Sequence, residues 1–344
     1  MRNSIRDRLV DTILVTAAAI VALLNLPNPA KAIPQTEEQA ATLVEKAGGT
    51  IARDKGLPGN PVIEVRFPEG RQIKKDQIYI LAAFTELQIL KAAGTGISDN
   101  DLAAIRGLSK IRQIELGDTG VGDNGLKFVK ELTNIVSLYL GKTKVTDEGM
   151  RYIAELGSLK NLDLSATMVG DEGLTHLSRL PDLRKLDLSN TKVSDSGLRE
   201  IGHLMRLESI DLNNTKVGDD GLIQLQDFKN LREIRLAGTR VSSRGLACLN
   251  KIPLLSSIDL AGSRIGDKGI VKLVGMKQLR HLDLSATSVT DDALASLEKI
   301  SGLESLSLDC TQITDKELGR LGNLKHLKVL GLLDTRISEG AIRR

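Results

Sequence analysis

Apolar and polar positions follow one pattern from about residue 62 onward, and it returns every 24 residues. Over residues 159–174, LKNLDLSATMVGDEGL, Leu159, Leu162 and Leu164 are followed by Thr167 and Val169. The same frame holds at Leu183, Leu186, Leu188, Thr191 and Val193, and again at Leu279, Leu282, Leu284, Thr287 and Val289. Leu162 and Leu164 alternate with Asn161 and Asp163, which predicts a short strand with one buried face. Leu174, Leu177 and Leu180 recur at helical spacing and predict a helix packed on the strand layer. Between strand and helix come hydroxyl-then-acid signals, Thr146-Asp147-Glu148 and Ser194-Asp195. They read as an N-cap followed by first-turn acids that suit the positive helix end. Gly149, Gly173, Gly197, Gly221 and Gly245 sit early in these helices. Glycine costs about 1 kcal/mol in a helix, so they are expected to make room for close packing between neighbouring turns.

The most regular position is a hydroxyl. Thr95, Thr119, Thr143, Thr167, Thr191, Thr215, Thr239, Ser263, Thr287, Thr311 and Thr335 follow one another with no residue gained or lost. A fixed period of this size means one supersecondary unit stacked on copies of itself. One unit cannot bury its own apolar face, so each leans on two neighbours. Parallel strands at about 4.8 Å per repeat would form an arc roughly 50 Å long. Each buried aliphatic side chain contributes roughly 1.5–3 kcal/mol, so a core can form although aromatic residues are 2% of the chain and Trp is absent. The repeat hydroxyl is expected to bond backbone groups of the turn that ends the strand, with its methyl packed inward.

The pattern fades at the start. Ile73, Ile78, Leu81, Phe84 and Leu87 keep phase. The strand Val62-Ile63-Glu64-Val65-Arg66-Phe67 is one residue out of register, and Pro68 to Gln72 absorbs the slip. Glu37 to Lys46 predicts a short helix ended by Gly48-Gly49, and residues 33–61 are expected to form an N-terminal helical cap segment. The final repeat shows no polar cap, which predicts an exposed strand edge. Residues 1–32 differ in kind: Arg2, Arg6 and Arg8, the apolar run Thr12 to Leu24, then Ala30-Lys31-Ala32. This reads as a signal peptide cut after Ala32, with an uncleaved membrane anchor over residues 9–26 as the alternative. Either way the repeats lie outside the membrane. Ile33 rather than Cys follows the cut, which disfavours a lipid anchor.

Removing four basic and two acidic groups with residues 1–32 takes the formal charge from +3 to +1. That near-neutral balance, and the lack of a basic stripe, argue against nucleic acid as a partner. Cys248 and Cys310 lie about two and a half repeats apart, roughly 12 Å along the stack and too far for a disulfide, so they read as small core or turn residues. His176, His203, His281 and His326 occupy four different repeat positions, which disfavours a metal site. The glycines belong to the repeat rather than to a phosphate loop, and no cofactor is expected.

Two outward columns remain. One runs Asn161, Lys185, Ser209, Glu233, Ser257, His281, Ser305. The next runs Asp163, Asp187, Asp211, Arg235, Asp259, Asp283, Ser307. His281 beside Ser257, Ser305, Asp259 and Asp283 invites comparison with a Ser-His-Asp triad, but an open strand surface supplies no pocket and no oxyanion donors. Asp163, Asp187 and Asp211 place like charges about 5 Å apart, which a basic partner or a cation would relieve. The competing reading takes this Asp as a hydrated filler of L-D-L-S, and Arg235 breaks the column. Tyr139 lies on the strand column, and Phe128 and Tyr152 lie on the helical side, as partner anchors or as rim packing.

The consensus L-x-x-L-x-L-x-x-T-x-V-[ST/G]-D-x-G-L resembles leucine-rich-repeat proteins, in particular exported planctomycete-type bacterial ones and the repeat region of F-box proteins. The resemblance implies an α/β fold: a leucine-rich-repeat solenoid, or horseshoe, with a parallel concave β-sheet and convex helices, about eleven repeats over residues 62–344. It implies a non-catalytic exported scaffold, periplasmic or secreted, that binds a protein on the concave face. The residues that would do so are Tyr139, Asn161, Asp163, Lys185, Asp187, Asp211, Glu233, Arg235, Asp259, His281 and Asp283. A structural role in a cell envelope or membrane assembly is the alternative. A ubiquitin-ligase role would need an F-box module, and residues 33–61 are too short for one.

Overall fold

The computed structural model describes residues 36–73 and 75–342. The segment read as a signal peptide lies outside them. The chain divides into two compact units, Met1–Ile135 and Val136–Arg344.

The first unit opens with helix α1, Glu37–Lys46, over the residues the sequence predicts. Thr36 caps it by accepting the Gln39 N–H, and Ala40, Ala41 and Val44 are buried. The chain then turns at Gly48, whose φ of 79° is open to glycine without steric cost. Strand β1, Thr50–Arg53, pairs antiparallel with β2, Val62–Arg66. The sequence reading missed β1, because four residues without apolar alternation carry no strand signal. Arg53 ties it back to α1, reaching Glu37 at 3.1 Å and Glu38 at 2.9 Å. Beyond β2 the pairing is parallel, through β3, Ile89–Lys91, to β4, Gln113–Glu115. Glu64 pairs with Ile89, twenty-five residues on, whereas Ile89 pairs with Gln113, twenty-four on. The one-residue slip read from the sequence is therefore present.

Among the described residues the second unit holds nine strands: β5 Ser137–Tyr139, β6 Asn161–Asp163, β7 Lys185–Asp187, β8 Ser209–Asp211, β9 Glu233–Arg235, β10 Ser257–Asp259, β11 His281–Asp283, β12 Ser305–Ser307 and β13 Val329–Gly331. They are ordered as in the chain, and neighbours pair in parallel at the repeat spacing. From β5 to β12 the middle residue of each strand is buried, and the flanking two mostly face out. The return segments are short. Asp147–Ile153 and Asp267–Leu273 are α-helices of 7 residues, whereas Gly245–Lys251 is 3₁₀. The 3₁₀ segment also counts 7 residues, and at about 2.0 Å rise per residue against 1.5 Å it is the longer and narrower of the two forms. At β13 the pattern opens out: Val329 is 60% exposed, Leu330 38% and, just beyond, Leu333 69%.

Two hydrogen-bond systems hold the repeat. The threonine hydroxyls, and that of Ser263, donate to the carbonyl three residues back, as in Thr167 to Leu164, Thr191 to Leu188 and Ser263 to Leu260, each at 2.6 Å. The residue before the hydroxyl is left-handed, at Ala166 (φ 52°), Asn190 (58°), Asn214 (56°) and Gly238 (65°), so the turn closes tightly onto that carbonyl.

The second system was not foreseen. The first-turn aspartate does more than suit the helix dipole. Its Oδ1 accepts the N-cap backbone N–H of the next repeat: Asp147 from Gly170 at 2.6 Å, Asp171 from Ser194 at 2.7 Å, Asp195 from Gly218 at 2.6 Å and Asp219 from Ser242 at 2.8 Å. Where that N-cap is Ser or Thr, the hydroxyl donates to Oδ2 as well, at 2.5 Å in Ser194 and 2.9 Å in Thr290. The helix glycines follow from this contact. A Cβ on Gly197, Gly221 or Gly245 would lie 2.5 Å from Oδ1 of Asp171, Asp195 or Asp219. The glycine makes room for the neighbour's carboxylate.

Replacing Thr191 by Val keeps the volume and removes the hydroxyl from a buried turn, at an expected cost of about 1–3 kcal/mol. Solenoid repeats couple mainly to nearest neighbours, so hydrogen exchange should quicken around residues 165 to 217 and little elsewhere. A variant with wild-type stability and exchange would reduce the ladder to a β-branched filler.

Candidate interaction face of the strand sheet

All eleven residues proposed to contact a partner lie on β5–β11, and the three-residue strands fix which way each points. Within the second unit, Asp163, Asp187, Asp211, Arg235, Asp259 and Asp283 sit side by side through the parallel registers. Asn161, Lys185, Ser209, Glu233, Ser257 and His281 form the adjacent column.

The aspartates are not hydrated fillers. Oδ1 of Asp163 accepts the Ser165 N–H at 2.8 Å, Asp187 takes Ser189 at 2.9 Å, Asp211 takes Asn213 at 2.9 Å, Asp259 takes Ala261 at 2.9 Å and Asp283 takes Ser285 at 2.8 Å. Each closes the strand-ending turn with its own side chain. Such a carboxylate is half-buried. Burial raises the pKa of Asp163 against the lowering by the Ser165 hydrogen bonds, and neighbouring Asp187 raises it further. Burial likewise raises Asp211 and Asp259.

Arg235 divides the acidic column. Its guanidinium reaches Asp211 at 3.3 Å and Glu233 at 2.7 Å, so these three form an internal ion cluster. Two like-charged pairs remain, Asp163–Asp187 on one side and Asp259–Asp283 on the other. Asn161 donates to Ser137 Oγ at 2.8 Å, and Ser209 donates to Glu233 at 3.2 Å, which uses up much of the adjacent column. Tyr139 is half-buried at the end of the acidic row. Tyr152 is also half-buried, with Arg151 stacked 5.7 Å from its ring centroid, and Phe128 is half-buried in the first unit. His281 is exposed, and the imagined triad partners are bonded elsewhere. Asp283 Oδ1 accepts the Ser285 hydroxyl at 2.5 Å besides its N–H, and Asp259 accepts Ala261. Cys248 is buried and donates to the Gly245 carbonyl at 2.8 Å, with its thiol pushed up to about 11 by burial; Cys310 sits exposed in the left-handed turn position.

The charge reading overlooked a basic stripe. The residue after the repeat hydroxyl is Lys144, Met168, Lys192, Lys216, Arg240 and Arg264 in six consecutive repeats, all exposed. Net charge hides it, because acids elsewhere cancel the sum. Aligning the repeats at their 24-residue period reveals it.

A leucine-rich-repeat family profile matches residues 131–154, 179–202 and 251–274, three copies in the frame described above. This is a leucine-rich-repeat chain. An internalin from Listeria monocytogenes superposes with a TM-score of 0.66 at 21% identity, covering 91% of this chain and 94% of its own. A second internalin of that organism, C2, gives 0.50 at 20% identity, covering 68% of this chain and 91% of its own. The leucine-rich-repeat ectodomain of the plant membrane receptor kinase GASSHO1/SCHENGEN3 from Arabidopsis thaliana gives 0.53 at 16% identity, covering 79% of this chain and 35% of its own. No curated protein matches the sequence. At these identities the likeness is one of fold, the α/β leucine-rich-repeat solenoid, a fold that supports protein interaction generally. The finer resemblance to planctomycete-type and F-box chains rests on the repeat motif alone.

The raised carboxyls give a pH test. A carboxyl whose folded pKa lies above its ordinary value of 3.8 binds its proton more readily in the folded chain. Its contribution to stability therefore improves as pH falls through the raised range and levels off below 3.8. Asp163→Asn keeps an acceptor for Ser165 and removes the charge. It should be more stable than the parent at pH 7, by up to about 1 kcal/mol, and that advantage should shrink as pH falls through the window. Melting both proteins at stepped pH decides it: parallel curves would mean that burial of this carboxylate costs nothing.

Proposed function

We propose that the chain is an exported leucine-rich-repeat scaffold, without catalysis or cofactor of its own, that holds a protein partner on the exposed face of β5–β11. The supporting observation is the pair of half-buried carboxylates Asp163 and Asp187 on adjacent strands, with Arg235 already committed to Asp211 and Glu233. A basic group on a partner would relieve that repulsion and gain charge-assisted hydrogen bonds to these carboxylates. The similar plant ectodomain was solved in complex with Casparian strip integrity factor 2, so a fold of this kind can serve such a role.

In this reading residues 1–32 are the export signal, 33–61 the N-terminal cap segment and 62–344 the repeats, with the protein periplasmic or secreted. No helix among the described residues is long and apolar enough to cross a membrane, so attachment would fall to an uncleaved N-terminal segment. No arrangement described above favours the cell-envelope or ubiquitin-ligase alternatives over this one.

Two measurements test it. N-terminal sequencing of exported protein should begin at Ile33; a chain still beginning at Met1 moves the protein to the anchored class. For binding, a partner captured from envelope extract should lose about five- to tenfold in affinity for Asp163→Asn/Asp187→Asn, and its salt dependence should weaken. Asn retains the turn-closing acceptor, so the melting temperature should not fall. Unchanged affinity would remove the electrostatic basis of the strand-face site.

A further inference from the structure

We propose that the basic stripe is a second docking surface, separate from the acidic strand face, and that its occupant is an acidic α-helix of a partner protein. Its core is Lys192, Lys216, Arg240 and Arg264, one per repeat in four successive repeats and all exposed. Among the described residues none of the four side chains makes an ion pair or a hydrogen bond. Some basic side chains of this unit do find acids across repeats, as Arg184 does with Glu208 at 2.8 Å and Lys328 with Glu304 at 2.6 Å.

The backbone fixes the spacing of these charges. The N–H of Lys192 donates to the Val169 carbonyl at 3.0 Å, Lys216 to Val193 at 2.9 Å and Arg240 to Val217 at 2.9 Å; Arg264 forms a parallel bridge with Ser242. The column thus repeats at the inter-strand spacing of about 4.8 Å. On one flank lie Asn190, Asn214, Gly238 and Gly262, which are uncharged. On the other lie the ladder aspartates such as Asp195, whose Oδ1 is already taken by Gly218.

The spacing selects the partner. An α-helix advances 5.4 Å per turn, so one acid per turn drifts from the stripe by less than about 2 Å over three intervals. Flexible Lys and Arg side chains absorb that. An extended acidic strand repeats its same-face side chains about every 6.7 Å, and over three intervals it drifts by roughly 6 Å, more than one repeat. Met168 continues the stripe beyond Lys192 and is 46% exposed, a contact point for an apolar side chain one turn further along such a helix.

The test uses the full chain and two synthetic helical peptides of identical composition. One carries Glu at i, i+4, i+7 and i+11; the other distributes the same glutamates around the helix. Fluorescence anisotropy should show the patterned peptide binding at least about tenfold tighter, with strong salt dependence. Lys216→Glu/Arg240→Glu should abolish the preference, and Lys216→Gln/Arg240→Gln should weaken binding without charge reversal. Both residues are exposed, so circular dichroism melts should match the parent. Asp163→Asn/Asp187→Asn should leave peptide binding intact, which separates this surface from the strand-face site whatever the fate of that reading. Equal binding of the two peptides, no binding of the patterned one, displacement of it by single-stranded DNA or phosphatidylserine vesicles, or indifference to Lys216 and Arg240 would each overturn the proposal.

Discussion

From Asp147 to Asp219, each repeat completes the one that follows it. The Asp171 carboxylate satisfies the N-cap N–H and hydroxyl of Ser194, and Asp195 does the same for the N–H of Gly218. A helix start leaves backbone donors without intrahelical partners, and here the partner comes from the preceding repeat. Insertion or loss of one residue would move the donor away from its acceptor. It would also move the middle leucine of the strand to the other face. That double penalty explains why the period stays at 24 residues from Thr95 to Thr335. The one slip, between β2 and β3, falls where the repeat pattern has just begun.

The same economy shapes the strand face. Aspartate in the L-D-L-S segment closes the turn through Oδ1 and so anchors the strand end. Being fixed there, it is half-buried and lies beside the next aspartate, so its charge is held at a cost. A structural duty and an unrelieved charge therefore occupy one residue. Arg235 shows the relieved state inside the molecule, where one guanidinium serves both Asp211 and Glu233. The surface offers acids on the strand face and bases along the neighbouring edge, a division that a sum of +3 over the chain conceals. Electrostatics of this kind governs encounter and partner choice more than fold stability.

Much of this was legible in the residues. The leucine spacing, the hydroxyl period and the N-cap signals determined a stacked strand–turn–helix unit, because each is a local rule repeated in phase. The helix Glu37–Lys46, the register slip before Ile89 and the backbone bond of the repeat hydroxyl followed in the same way. What only the tertiary structure decided are contacts between residues 23 or 24 apart. The aspartate ladder pairs side chain with backbone across repeats, so Asp195 alone reads as a helix-dipole acid, and Gly221 alone as a packing glycine. Strand β1 forms because β2 offers it an edge, and its own four residues carry no pattern. The fate of Asp163 and Arg235 depends on which neighbour reaches which oxygen, a matter of ångströms that periodicity does not encode. Local chemistry fixed the repeat, and stacking assigned each charged group its partner.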